Sequence, residues 1–116
     1  MNAAGALFGG VILAWIDEAA AIAARKLFHT TNFATVAITG GIYFRRPIFL
    51  GDLVSLQSTL VRVGRTSIAF QVDINVFDSK DPAPVCSVQE IVFVRKDAQG
   101  TPYPHGLSPL LITHTP

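Results

Sequence analysis

Residues Gly9 to Phe28 read as a helix that is apolar on nearly every side, and such a helix needs other structure packed over most of it. Val11, Ile12, Trp15, Ile16, Ile22 and Leu27 fall on several faces, so its expected place is the middle of the structure. It is expected to start near Gly9-Gly10 and to finish after Arg25-Lys26, where cations complement the C-terminal dipole. One stripe is small: Gly10, Ala14, Asp17, Ala21 and Ala24 follow helical spacing and permit close approach of a backbone or ligand, and Asp17 is its only charge. The apolar run from Ala3 to Ile16 is shorter than the ~20 residues of a bilayer span, and Asp17-Glu18 closes it. No basic segment precedes it, as a secretory signal would require.

After the helix come long runs rich in β-branched and aromatic residues, read as strands over Ala34–Phe44, Leu53–Val63, Thr66–Phe77 and Val85–Arg95. Pro47 to Asp52 is a loop, Gly64-Arg65 a two-residue hairpin connection of type II′, and Ser79 to Pro84 a longer turn. Long antiparallel strands around one apolar helix make an α+β fold in a single domain over residues 1–116. From Asp97 onward Gly, Pro and Thr dominate, which predicts an irregular or mobile tail over 97–116.

With 50% hydrophobic and 15% charged residues, disorder is excluded. So little charge on so small a chain predicts that another subunit covers part of the apolar surface. A net charge of +1 gives no reason to expect nucleic acid or an anionic membrane as partner. The one cysteine, Cys86, excludes an intrachain disulfide, suits a reducing compartment and reads as a small strand or core residue. His29, His105 and His114 lack metal-ligand spacing, and the last two are expected to be exposed in the tail.

The string NAAGALFGGVILAWIDE (Asn2 to Glu18) resembles the opening motif of cytosolic acyl-CoA thioesterases of the hot-dog superfamily. Further echoes follow in order: TVAI at Thr35–Ile38, FRRP at Phe44–Pro47, GD at Gly51-Asp52 and VGRTS at Val63–Ser67, so that the resemblance covers about Asn2 to Arg95. It implies a hot-dog fold, with a sheet wrapped around a central helix, and a cytoplasmic homodimer that joins sheets edge to edge and often assembles into hexamers. It also implies hydrolysis of acyl-CoA to free CoA and a carboxylic acid with no metal or redox cofactor, coenzyme A entering only as part of the substrate. Family members carry another strand before this motif, whereas the present sequence opens within the loop that would follow that strand.

Asp17 is the leading catalytic candidate. Aspartate is a middling helix former, this one sits on the small-residue stripe, and the family places its catalytic acid at this motif position. The role implied is general base for water or nucleophile on the thioester carbonyl. Free amides at the helix start, with Gly9 and Gly10 letting a ligand come close, suit an oxyanion hole. Asn2 matches the family's asparagine, thought to orient water or the thioester, while Glu18 points about 100° away from Asp17 and reads as a secondary polar group. Arg65 with Thr66 and Ser67, and Arg45 or Arg46, are the candidate CoA contacts, since arginine forks suit phosphate. Adjacent strand residues face opposite sides, so Arg45 and Arg46 cannot serve equally. Two other classes compete: a non-catalytic acyl-CoA-binding or regulatory module, and a hot-dog dehydratase or hydratase, for which His29 would be the sole conceivable catalytic histidine.

Overall fold

A computed structural model describes residues 5–77 and 79–114. The helix forms over Gly9–Phe28 (α1), and four strands follow: β1 (Phe33–Phe44), β2 (Val54–Val63), β3 (Ser67–Val76) and β4 (Cys86–Arg95). They make one antiparallel sheet in the order β1-β4-β3-β2. This is the expected α+β architecture, with strand limits within two residues of those read from sequence.

Period decides the layers. Along α1, Ile12, Ile16, Ala20, Ala24 and Phe28 recur every four residues and are buried. Along β3, Ile68, Phe70, Val72 and Ile74 alternate onto the same core, and Cys86, Val88, Ile91 and Phe93 of β4 join them. The step from Val88 to Ile91 breaks strict alternation because β4 carries an extra residue there. β1 carries its own extra residue opposite, at Gly40-Gly41, both at positive φ, where a Cβ on Gly40 would fall 2.8 Å from that of Gln89. β2 has another at Val61. These irregularities lie close together and line one open cleft on the sheet face away from the helix, with Gly40, Val61, Gln71 and Gln89 in its walls. Such bulges increase local twist and bend a sheet.

Three expectations need correction. The helix is central only by its inner face: in the protomer its outer side stays open, with Val11 40% and Ile22 53% exposed, because a single sheet can cover only one side of a cylinder. The β2–β3 hairpin turns at Arg65-Thr66, one residue later than expected. Gly64 N–H donates to Ser67 O at 2.9 Å, Val63 pairs with Ile68, and none of the turn residues has positive φ, so the turn is not of the II′ kind. Gly64 matters there for room, since a Cβ would meet Ser67 Oγ at 2.5 Å.

The tail is irregular but fastened. Lys96 bridges to Pro102, Tyr103 N–H donates to Arg95 O, Leu107, Leu111 and Ile112 pack on the core, and a 3-10 turn forms over Pro109–His114 beside β2. His105 is accordingly half-buried rather than exposed. Its ring stacks on Phe28 at 5.7 Å, its Nε2 lies 3.0 Å from Ser67 O, and its Nδ1 accepts the Leu107 N–H. Among the described residues no helix is long and apolar enough to cross a membrane.

Candidate active site

Asp17 stands on the open side of α1, and one strand residue orients it: Thr35 Oγ1 donates to Asp17 Oδ1 at 2.7 Å. Thr35 pairs with Phe93 of β4, which turns it toward the helix layer from the edge strand β1. The hydroxyl fixes one carboxylate oxygen, while Oδ2 has no donor among the described residues. Asp17 is therefore both positioned and available to a base or nucleophile role.

The start of α1 is built to leave its amides free. Phe8 occupies the N-cap in an extended conformation, no side chain among the described residues caps the helix and no acid lies in its first turn. Val11 and Ile12 N–H both turn back to Phe8 O, leaving the Gly9 and Gly10 amides without acceptors among the described residues. Leu7 N–H to Ile48 O and the Ala6–Phe49 bridge strap this segment to the Pro47–Asp52 loop, which fixes where the amides point. A Cβ on Gly9 would press on the Phe44 ring at 3.4 Å, whereas one on Gly10 would meet nothing within 4 Å, so Gly10 leaves open space for a guest.

Gly10 and Asp17 share a face, seven residues apart, which is about 10 Å along the axis. Reacting atoms must approach to about 3–3.5 Å, so a carbonyl held at the amides of one chain is out of reach of that chain's own Asp17. Asn2 lies outside the described residues.

The arginines separate. Arg45 falls on the sheet face away from the helix, where its Nη1 donates to Ser87 Oγ at 2.9 Å, Ser87 donates to Asp73 Oδ1 at 2.7 Å, and the guanidinium lies 5.8 Å from the Tyr43 ring. Arg46 is held by the other loop, with Nη1 on Asp81 at 2.7 Å and Nη2 on the Ala83 carbonyl at 2.8 Å. The two diverge, but not by strand alternation, since β1 ends at Phe44 and the amides of Arg45 and Arg46 both donate to the Val85 carbonyl; the structure brings neither to Asp17. Arg65 is exposed at the hairpin with its side chain unpaired among the described residues, and its carbonyl accepts the His105 N–H. Thr66 O accepts the Arg95 N–H, and Ser67 O accepts the Gly64 N–H. The turn carrying Arg65, Thr66 and Ser67 is thus braced by β4 and by the tail.

Glu18 is exposed with no partner among the described residues. Cys86 sits in the core, where burial pushes its thiol up, against a smaller lowering by Arg45 and with a further rise from Asp73. His29 forms the left-handed C-cap at φ 57°, twelve residues and about 18 Å of helix from Asp17, so the two are not one site. Sequence reasoning quoted Thr35 only within TVAI and assigned no role to His105. A hydroxyl opening the strand that returns past the helix was the available signal for Thr35. Nothing local marked His105, whose contacts come from distant segments.

A bent antiparallel sheet bearing one long helix, with an acid on the helix's open side, defines a protein of hot-dog type. The chain belongs to the thioesterase superfamily, whose family profile matches residues 4–83. It is 36% identical over 72 residues to an uncharacterized acyl-CoA thioester hydrolase of Zymomonas mobilis, covering 62% of this chain and 47% of that protein. The chain spans about half the length of the curated relatives it matches first. Among solved structures it resembles the aspartate-to-alanine mutant of a hexameric broad specificity acyl-coenzyme A thioesterase, with a TM-score of 0.78 at 28% identity, covering 98% of this chain and 89% of that one. It also resembles an acyl-CoA hydrolase from Staphylococcus aureus in complex with butyryl coenzyme A, coenzyme A and coenzyme A disulfide, with a TM-score of 0.76 at 31% identity, covering 90% of this chain and 60% of that one.

Proposed function

We propose that this chain hydrolyses acyl-CoA thioesters to free CoA and a carboxylic acid, with Asp17 as the reacting carboxylate. The observation that carries the reading is the pairing of a carboxylate oriented by Thr35 with uncapped glycine amides on the same helix face. In the reaction the thioester oxygen rests on the Gly9 and Gly10 amides, which stabilise it as it gains negative charge. A water deprotonated by Asp17, or Asp17 itself, adds to the carbonyl carbon. The C–S bond then breaks, and the thiolate takes up a proton to leave as free CoA. When Asp17 adds directly, water then hydrolyses the mixed anhydride. Arg65, with Thr66 and Ser67, holds phosphate at the nucleotide end.

The ~10 Å between Gly10 and Asp17 supports a site shared by two chains. An antiparallel apposition of two α1 helices, with the two-fold axis near the exposed Ala14, sets Asp17 of one chain beside Gly10 of the partner subunit. The exposed edge strand β1 offers the seam for joining sheets, and dimers assemble further as the hexameric neighbour does. The single buried cysteine suits the cytoplasm.

Free-thiol release from a panel of acyl-CoAs, followed with light scattering across a dilution series, tests the whole reading. Turnover that falls as the oligomer dissociates is expected. A fully active monomer overturns the shared site, and thiol release from no acyl-CoA overturns hydrolysis in favour of a binding module. Single-turnover reaction in ¹⁸O-water then tests direct addition, since label in Asp17 requires a mixed anhydride opened by water at the aspartyl carbon.

A further inference from the structure

The fold sorts charge by end. α1 finishes, β1 starts, β4 finishes and the β2–β3 hairpin turns within one contact neighbourhood: Phe28 meets Phe33 and His105, Lys96 N–H donates to Asn32 O, and Arg95 N–H donates to Thr66 O. Among the described residues this end carries Arg25, Lys26, Arg65, Arg95, Lys96, His29 and His105 against the single carboxylate of Asp97. Asp97 is engaged by the amides of Gln99 and Thr101. The ion pairs among the described residues, Arg46–Asp81 and Arg62–Glu90, use none of these cations. Arg95 Nε is buried with no acceptor among the described residues, so donors exceed acceptors here.

Within this end lies an open pocket of about 500 Å³, lined by Ile22, Arg25, Lys26, His29, Thr30 and Thr31 and by no carboxylate. Ile22, Arg25, Lys26 and His29 share one helix face by their spacing. Thr30 Oγ1 accepts the Asn32 N–H at 3.1 Å, which holds the loop and leaves the hydroxyl proton to donate. The left-handed C-cap seat is usually taken by glycine, and here it places an imidazole in the pocket wall. Complementing the helix dipole accounts for a cation in the last turn, but not for a concave set of two cations, an imidazole and two hydroxyls.

We propose that this pocket is a phosphate site. Resting on the acyl-CoA reading, it takes a phosphate group of the substrate's nucleotide end other than the one held at Arg65. Arg25 lies eight residues beyond Asp17, about 12 Å along the helix, an offset suited to phosphates carried well away from a thioester. The shared chemistry is a phosphate oxyanion, which free phosphate in solution would also supply.

Calorimetric titration of inorganic pyrophosphate into the full chain tests the site without any turnover. The Arg25→Gln/Lys26→Gln double variant, changed at two exposed positions, is expected to bind about tenfold more weakly, the scale of a lost charge-assisted contact. The charge-preserving Arg25→Lys/Lys26→Arg variant is expected to restore binding. Equal affinity in the wild-type chain and the double variant, or no binding to either, overturns the site. A second arm compares KM for acyl-CoA with KM for the matching acyl-pantetheine. A ratio raised about tenfold in the double variant assigns the site to the substrate's own phosphates. An unmoved ratio with weakened pyrophosphate binding upholds the site as one for free phosphate. A chain that binds pyrophosphate through these residues yet hydrolyses no thioester would sink the acyl-CoA reading and leave the site standing.

Discussion

On its inner side α1 presents Ile12, Ile16, Ala20, Ala24 and Phe28, all buried against the sheet; on its outer side it presents Val11, Ala14, Asp17, Glu18 and Ile22, all exposed. Both faces carry alanine and branched aliphatics, so their apolar residues alone do not distinguish them. Saturation does. The inner face has its partners within this chain, and altering it costs stability. The outer face is short of partners among the described residues, and it is the face on which the proposed reaction and the proposed second chain would meet. The helix thus stabilises the protomer with one half and leaves the other half open.

The largest effect is expected on the outer face. Asp17→Asn keeps volume and helix packing but removes the base, so kcat should fall by about a hundredfold to ten-thousandfold with the thermal midpoint unchanged. Near-normal hydrolysis would break the assignment of this face to chemistry. Next comes the inner face. Ile16 is fully buried, and Ile16→Ala should cost about 2–5 kcal/mol in urea unfolding. A loss below about 1 kcal/mol would mean that the two faces are not differently saturated.

Thr35 sits on the seam between them. Thr35→Val deletes the 2.7 Å hydrogen bond at nearly constant volume and should lower kcat about tenfold, while Thr35→Ser restores most of it. A valine variant with unaltered kcat would show that the hydroxyl does not position Asp17. Away from the helix, Arg65→Ala should raise KM for acyl-CoA a few-fold and leave KM for acyl-pantetheine nearly constant. Equal losses on both substrates would remove Arg65 from the nucleotide end.

The smallest effect belongs to the bare face of the sheet. There the Thr39 hydroxyl, donating to Glu90 at 2.7 Å, is the main reason that the Glu90 carboxyl lies below its ordinary 4.5, with desolvation opposing it and the Arg62 contact adding to it. A carboxyl lowered on folding contributes stability above its unfolded value and loses it as pH falls through the folded one. Thr39→Val should therefore lower the unfolding free energy slightly at pH 7, by less than about 1 kcal/mol, and the gap to wild type should close in acid. A gap that stays constant down to strongly acidic pH would assign the loss to packing instead.

Much of this was legible without coordinates. Helical spacing placed Asp17 on the stripe with Gly10 and Ala14, and runs of β-branched and aromatic residues located the strands to within two residues, because both are properties of neighbours along the chain. The hairpin register was missed by one position. Gly64 looked like a turn glycine, but its lack of a side chain serves to clear Ser67, a contact across the ladder. The contacts of the tail, and with them the burial of His105, were missed for the same reason. Gly, Pro and Thr signal irregular backbone correctly, yet they carry no information about what that backbone leans on.

The amino-acid sequence by itself determined the elements and the surplus of apolar surface, which follow from local periodicity and composition, and the candidate acid, which needed a family resemblance as well as its place on the stripe. Only the tertiary structure decided that Thr35 reaches Asp17, that Arg46 is held by Asp81, that His105 braces the hairpin, and that most of the cations without an ion pair among the described residues gather at one end. Each joins residues far apart in the chain, and sheet order sets their distance. Sheet order is fixed by closing the core, a sum over many side chains that no short stretch of sequence contains.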